Sequence, residues 1–361
     1  MIKKVYIKNI NSINEATINF EKGRYQFLNE NIMNDKLVNP VAFYGKNGSG
    51  KTSFIEALTQ MVAILWKEPG NYNMFIPNLF NKSKKSEMKI WFDLNEIEYI
   101  YTVQTDIYRG IEKEKLEAND KEVFTKKDII TYEYQNDIKF LDASNYSVLR
   151  RIASDLSDKI VVDAYNYLSN IAYIGASKHM YSSKILNQKS IDDLMVEKSQ
   201  EVKNILETYN DFPLYNYVSH YGVDGKKNYY FILESSDKTK TMHKSYMSSG
   251  MYNQSVLLSI LSSLPEKSTM LIDEIEDALH PLTILDFIQV VRDKNIQLIF
   301  SSHNTHILQS LRPDQIIFAN WNEGYSGYKK LSDIYPNIRE INNIEKMYFA
   351  HMFDDKIKLN E

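Results

Sequence analysis

The chain contains no cysteine among its 361 residues. Disulfides and thiolate metal sites are therefore excluded, and a reducing cytoplasm is the expected compartment. It also lacks an excess of positive charge: 43 Lys and Arg stand against 47 Asp and Glu, a formal net charge of −4. A basic footprint over the whole protein is absent, so a nucleic-acid partner would need a local patch. No apolar run approaches the length of a membrane span, so no membrane partner is expected. The first residues, Met1-Ile2-Lys3-Lys4-Val5-Tyr6-Ile7, alternate like a strand with no long apolar stretch behind them, and no signal peptide is expected. What is there is an ordinary globular composition, 43% hydrophobic and 25% charged. That suits about two domains, or one core with a large insertion.

The most informative stretch is residues 40–66. Pro40-Val41-Ala42-Phe43-Tyr44 has the length of a buried strand. Gly45-Lys46-Asn47-Gly48-Ser49-Gly50-Lys51-Thr52 follows and fits G-x-x-x-x-G-K-[ST] at every fixed position. Phe54, Ile55, Leu58, Met61, Val62 and Leu65 then recur at helical spacing, with Pro69-Gly70 as the stop. Strand, glycine turn and helix together are the context of a phosphate-binding P-loop. Glycines at 45, 48 and 50 let the backbone wrap closely around phosphates. Loop amides and the helix N-terminus face the anion. Lys51 adds a mobile charge, and Thr52 offers a hydroxyl to Mg²⁺.

The rest of the chain supplies partners for this turn. Residues 2–20 predict two strands, and 21–39 a polar loop. Residues 86–125 predict a β-meander, with a third strand over Ile107 to Leu116 and a weakening pattern after Glu117-Ala118-Asn119-Asp120. Residues 126–215 read as mainly helical. Val148, Leu149, Ile152, Leu156 and Ile160 form one stripe, Ile171 to Gly175 a strand that rejoins the core, and Ile191 to Tyr209 a second helical segment. Tyr229 to Leu233 is a further strand, and Ser235 to Lys244 a lysine-rich loop. Tyr246-Met247-Ser248-Ser249-Gly250-Met251 precedes a helix carrying Val256, Leu257, Ile260, Leu261 and Leu264, which Pro265 ends. Small polar residues at such a helix start make a second potential anion site.

Thr269-Met270-Leu271-Ile272-Asp273-Glu274 is an apolar strand ending in two carboxylates. Downstream of a P-loop this places Asp273 on Mg²⁺ and Glu274 on an attacking water. The next helix opens at Ala278-Leu279-His280-Pro281, with Leu282, Leu285, Ile288 and Val291 on one face. Ile296 to Phe300 is a strand ending at Ser301-Ser302-His303-Asn304. A βαβ unit of this kind is parallel and buried, and ligands collect at its carboxyl edge. Glu274 and His303 both fall there, which makes His303 a candidate partner of the γ-phosphate or the water. His280 and His306 read as structural. Gln315 to Ala319 and Tyr325 to Leu331 predict paired strands, and Ile341 to Met352 a helix.

This order of parts resembles the ABC-type ATPase superfamily, the branch with the heads of SMC, Rad50 and RecF proteins and the OLD-type ATPases. The resemblance rests on the P-loop, Met247-Ser248-Ser249-Gly250-Met251, Asp273-Glu274-Ile275-Glu276-Asp277-Ala278-Leu279-His280-Pro281 and His303. It extends to the opening Ile7-Lys8-Asn9-Ile10-Asn11-Ser12-Ile13 and to Arg312-Pro313-Asp314-Gln315-Ile316-Ile317-Phe318. It is nearest to compact AAA/OLD-like ATPases of bacterial two-gene phage-defence, or abortive-infection, modules.

It implies an α/β P-loop NTPase of ABC type: a mainly parallel core sheet flanked by helices, an N-terminal antiparallel β-subdomain and a helical insertion. The implied division is 1–125, 126–224 and 225–361. ATP and Mg²⁺ are the implied cofactors. Gly45, Lys46, Asn47, Gly48, Ser49, Gly50, Lys51, Thr52 and Ser53 would bind the nucleotide, and Thr52 and Asp273 the metal. Lys51, Glu274 and His303 would act in hydrolysis. Ser248, Ser249 and Gly250 would cap the γ-phosphate of a second copy, so a homodimer with two sandwiched ATP molecules is implied, with a higher oligomer open.

The chain departs from transporter subunits in having Ser249 where they carry Gly and Met251 where they carry Gln. Its P-loop and signature also stand roughly 200 residues apart. Gln60 lies inside the first helix, away from the place of a glutamine loop. The chain ends before room for a Toprim nuclease, so a defence role implies a separate effector, a nuclease or toxin. Three readings stay open: a sensor and scaffold for that effector, a RecF-like ATPase acting on DNA, and a nucleotide switch with little turnover.

Overall fold

The computed structural model describes residues 1–66, 74–128, 131–141, 146–175, 180–182, 189–208, 215–235 and 238–353. Alternating apolar residues make β1 (Ile2–Ile10) and β2 (Ile13–Asn19), an antiparallel hairpin. The expected loop over 21–39 carries a 3-10 turn (Asn29–Asn31) and a short ribbon, β3 (Ile32–Met33) and β4 (Leu37–Val38). β5 (Val41–Tyr44), fully buried, leads through the glycine turn into α1 (Lys51–Trp66). All six apolar residues assigned to that helix face are buried. Pro69-Gly70 lies outside the described residues.

The meander is longer than expected. β6 (Lys85–Leu94), β7 (Ile97–Asp106), β8 (Gly110–Ala118), β9 (Lys121–Lys126), β10 (Thr131–Tyr134) and β11 (Ile138–Leu141) run antiparallel in sequence order. The third strand begins at Gly110, not Ile107. Asn119-Asp120, where the pattern weakened, is itself a hairpin turn with both residues left-handed (φ 48° and 61°). Left-handed pairs in two-residue turns match the twist of flanking strands, and Asn and Asp tolerate them.

Over 126–224 helices predominate among the described residues, and more strands interleave with them than the one expected at Ile171 to Gly175. The stripe from Val148 is two helices, α2 (Val148–Asp155) and α3 (Lys159–Ser169). Ser157 is left-handed and Asp158 caps α3 by accepting from the Val161 amide, so Leu156 ends up exposed. β12 (Ala172–Gly175) rejoins the core as expected, and β13 (Met180–Ser182) pairs beside it. α4 (Ile191–Glu197) and α5 (Ser199–Thr208) replace the single segment expected to Tyr209, which is outside the described residues. β14 (Tyr215–Tyr221), β15 (Lys227–Ser235) and β16 (Lys238–His243) form a separate antiparallel sheet. β16 corrects the expected loop over 235–244: its polar residues lie on an edge strand, where a strand needs no apolar run.

α6 (Ser249–Ser263), β17 (Thr269–Asp273), the short α7 (Ile275–Ala278), α8 (Pro281–Asp293) and β18 (Gln297–Ser301) follow. On α8 the buried face carries Ile284, Phe287, Ile288 and Val291, whereas Leu282 is 75% and Leu285 42% exposed. Of the four residues expected on that face, Ile288 and Val291 are buried, and Leu282 and Leu285 point to solvent. β19 (Ile316–Asn322) and β20 (Tyr325–Lys330) pair as expected. α9 (Leu331–Ile334) and α10 (Ile344–Phe349) close the described chain, the latter shorter than the 341–352 expected.

One sheet of 15 strands unites these elements, in the order β11-β10-β9-β8-β7-β6-β1-β2-β20-β19-β5-β18-β17-β12-β13. Its centre, β19-β5-β18-β17-β12, is parallel. Side chains alternate across it. Phe43, Leu271, Ile299 and Ile317 join α1 in one core, while Ala42, Ile272, Phe300 and Phe318 join α6 and α8 in the other. Parallel strands covered on both faces read as continuous apolar runs, as β5, β17 and β18 do. All five carboxyl ends of this central sheet point to one edge, and the glycine turn lies on it.

Candidate nucleotide site

The turn between β5 and α1 works only with glycine. Gly50 has φ +104°, and a Cβ there would stand 2.1 Å from Ser326 Oγ. At Gly45, φ +152°, a Cβ would stand 2.4 Å from the Ala319 carbonyl oxygen. The turn thus sits directly on β19 and β20. Tyr328 on β20 donates its hydroxyl to the Gly50 carbonyl at 2.7 Å, which pins the turn from below. Ser12, in the β1–β2 turn, donates to Ser53 at 2.7 Å and shares a hydrogen bond with Ser326 at 2.7 Å.

Lys51 opens α1 and is 6% exposed. Its ammonium donates to the carbonyls of Gly45 at 3.0 Å and Lys46 at 3.2 Å. It therefore curls over the turn, above the space that the helix amides face. Burial pulls its pKa below the ordinary lysine range, against Glu274, Asp273 and Glu276, which pull it up. A phosphate chain would restore a counter-charge.

Asp273 ends β17 and is 2% exposed. Its Oδ1 accepts from Thr52 Oγ1 at 3.0 Å and from Ser301 Oγ, at the end of β18, at 2.6 Å. Ser301 Oγ also accepts from the Glu274 amide at 2.8 Å. Glu274 itself is left-handed, at φ 54° and ψ 67°. A non-glycine residue there carries strain, which the Ser301 bond helps to hold. Glu276 accepts from Ser302 Oγ at 2.8 Å and from the His303 amide at 2.6 Å, fixing the backbone that presents the imidazole.

One open cleft of about 610 Å³ collects Ser12, Asn47, Gly48, Gly50, Lys51, Thr52, Ser53, Glu274 and His303. Asp273 reaches it through Thr52. Lys46 and Ser49 belong to the turn itself. Ser248, Ser249 and Gly250 do not join it. They are exposed at the start of α6, where Ser248 caps the helix by accepting from the Met251 amide at 3.2 Å. His280 caps α8 and His306 pairs with Glu345 at 2.9 Å, both outside the cleft. Gln60 bonds Asn11 at 2.8 Å and the Ile76 amide at 2.9 Å, a structural role.

The donors suit a hard cation. Thr52 Oγ1 and the Asp273 carboxylate are oxygen ligands side by side. Among the described residues no group of three or more His, Cys, Asp or Glu forms a protein cage for a metal. Mg²⁺ fits such a half-open set, because it keeps water and phosphate oxygens as its other ligands.

Sequence reasoning missed Ser12, Ser301, Glu276, Ser326 and Tyr328. Hydroxyl residues in turns and strand ends are common. The only available signal was the position of Ser301 and Glu276 at carboxyl ends of predicted parallel strands.

A glycine turn cradled by a parallel sheet, with the hydroxyl and carboxylate of Thr52 and Asp273 paired beneath it, defines a P-loop nucleotide-binding head. Residues 41–309 match the family model described as "AAA domain, putative AbiEii toxin, Type IV TA system". The chain belongs to that family. No curated protein matches the chain. Among solved structures, the SMC head bound to the C-winged helix domain of ScpA is similar, with a TM-score of 0.51, 14% identity, and 91% of this chain and 96% of that one covered. The Smc head domain with an extended coiled coil bound to the C-terminal domain of ScpA, derived from Pyrococcus furiosus, has a TM-score of 0.49 and 13% identity, covering 99% of both chains. The SMC head domain from Thermotoga maritima has a TM-score of 0.47 and 15% identity, covering 91% of this chain and 98% of that one. At such identities the likeness is one of fold. No helix among the described residues is long and apolar enough to cross a membrane.

Proposed function

We propose that the protein is an ATP-hydrolysing switch whose nucleotide-dependent homodimer controls a separate effector, a nuclease or toxin, in bacterial antiphage defence. One observation carries the dimer: the cleft gathers the P-loop, Glu274 and His303, while Ser248, Ser249 and Gly250 stand exposed elsewhere. A second copy brings them together. The defence role draws support from the name of the family, and a cytoplasmic location from the absence of cysteine.

In this reading the amides of residues 45–53 and the Lys51 ammonium bind the β- and γ-phosphates. Thr52 and Asp273 hold Mg²⁺, which when bound offsets phosphate charge. Glu274 accepts the proton of the attacking water, and His303 donates to a γ-phosphate oxygen. Ser248, Ser249 and the Gly250 amide of the partner donate to the same phosphate. Donors fixed before the reaction stabilise the developing charge without reorganising. Hydrolysis removes the group that bridges the copies, and the dimer opens.

Glu274→Gln removes the base and leaves the phosphate contacts. With ATP it accumulates as a dimer by light scattering; a variant that stays monomeric at saturating ATP contradicts the mechanism. Co-purification with a neighbour-encoded nuclease or toxin tests the effector. The SMC-head fold favours a second reading, an ATPase acting on DNA. Salt-dependent DNA affinity of the ATP-bound dimer, with no effector attached, selects it.

A further inference from the structure

Tyr173 on β12 is 2% exposed, yet its hydroxyl has no hydrogen-bond partner among the described residues. A buried, unpaired phenol is costly, and a native structure rarely keeps one without a use. Gly175 shows where the hydroxyl lies. A Cβ on Gly175 would stand 2.5 Å from Tyr173 Oη and 3.1 Å from its Cζ. The ring is therefore laid along its own strand, over Gly175, with its polar end toward the strand's carboxyl end. Gly175 is the parallel partner of Asp273, so the hydroxyl lies over the strand position paired with the residue that Thr52 bonds. Tyr173, Leu271 and Ile299 share the face that α1 covers. Thr52 comes from the first turn of that helix, and Glu56 follows one turn on. Burial first, then Asp273, Glu56 and Glu274, push the phenol's pKa up, so it remains a donor.

We propose that Tyr173 is a positioning residue of the metal site. Its O–H would donate to water bound by a divalent cation that Thr52 and Asp273 would hold. Gly175 is glycine because the phenol occupies the space of its Cβ. The inference rests on the ATP- and metal-binding reading above.

The test titrates Mn²⁺, by electron paramagnetic resonance, into protein saturated with ATPγS. Tyr173→Phe is expected to weaken Mn²⁺ binding about tenfold, the size of effect seen when an outer-shell partner is lost. ATPγS affinity in EDTA stays at the wild-type value. The melting temperature without metal or nucleotide stays the same or rises, because an unpaired polar atom has gone. Gly175→Ala, which displaces the phenol, weakens Mn²⁺ binding in the same direction. Wild-type Mn²⁺ affinity in Tyr173→Phe overturns the inference, as does a metal-free melting temperature that falls by several degrees, which would make the hydroxyl structural. Wild-type protein that binds no Mn²⁺–ATPγS overturns the ATPase reading instead.

Discussion

The carboxyl edge of the central sheet and the subdomain around the start of α6 are built differently. At the sheet edge each functional group is held by another strand end. Asp273 is bonded by Thr52 and Ser301, Glu276 by Ser302 and the His303 amide, and Gly50 by Tyr328. Around α6, the helix start is exposed, and α4 is tied to β14–β16 by polar side chains. Asp192 accepts from Tyr217 at 2.8 Å and from Lys244. Asp193 accepts from Tyr229 at 3.0 Å and from Lys227. The first region is held by bonds between strand ends and the glycine turn, the second by carboxylates bonded to tyrosines and lysines over a shared apolar core of Leu194, Met195, Tyr217 and Phe231. In the proposed cycle the first holds the nucleotide, and the second presents the exposed helix start that docks and releases.

The largest effect expected is at the sheet edge. Lys51→Ala removes the buried ammonium and weakens ATP binding about 100-fold by calorimetry; near wild-type affinity would break the assignment of the turn. Next is Ser249→Arg, which blocks the exposed helix start. ATP binding to the monomer is unchanged, and turnover falls about 100-fold. Mixing Lys51→Ala with Ser249→Arg pairs one sound cleft with one sound cap. It recovers measurable turnover, at most about a quarter by random pairing. No recovery would mean that each chain completes its own site.

A third pair of variants compares stability. Arg312 is fully buried at the base of β19 and bonds Asp314, Phe27, Asn29 and Tyr25. Arg312→Met strands Asp314 and costs about 3–5 kcal/mol, read as a loss of denaturant midpoint. Asp193→Asn, in the exposed half, costs less than about 1 kcal/mol. This last contrast depends on pH. Lys227, then Ser190, hold the Asp193 carboxyl down to about 2 from an ordinary 3.8. A depressed carboxyl stabilises the fold above its unfolded pKa and loses that contribution as pH falls through the folded one. The wild-type lead over Asp193→Asn in melting temperature is therefore constant at neutral pH and closes below about pH 4.

Much of the fold could be read wherever signals were local. β5, β17 and β18 announced themselves as apolar runs, and the glycine turn as a spacing. The meander beyond residue 125 is hard to read because the pattern weakens at Asn119-Asp120, although a left-handed pair is what continues a hairpin. β16 was lost because an edge strand with a polar alternation resembles a loop. On α8 the period was right and the phase was not: which side of an amphipathic helix is buried depends on the sheet beneath it, and Leu282 and Leu285 face away.

The sequence by itself determined the glycine turn, the apolar strand before it and the helix after it, because backbone conformation and alternation are properties of neighbouring residues. Tertiary structure alone decided that Ser301 meets Asp273, and that Ser12 meets Ser326 across 314 positions. Hydroxyl groups carry no spacing rule, so their roles exist only once strands distant in the chain lie side by side.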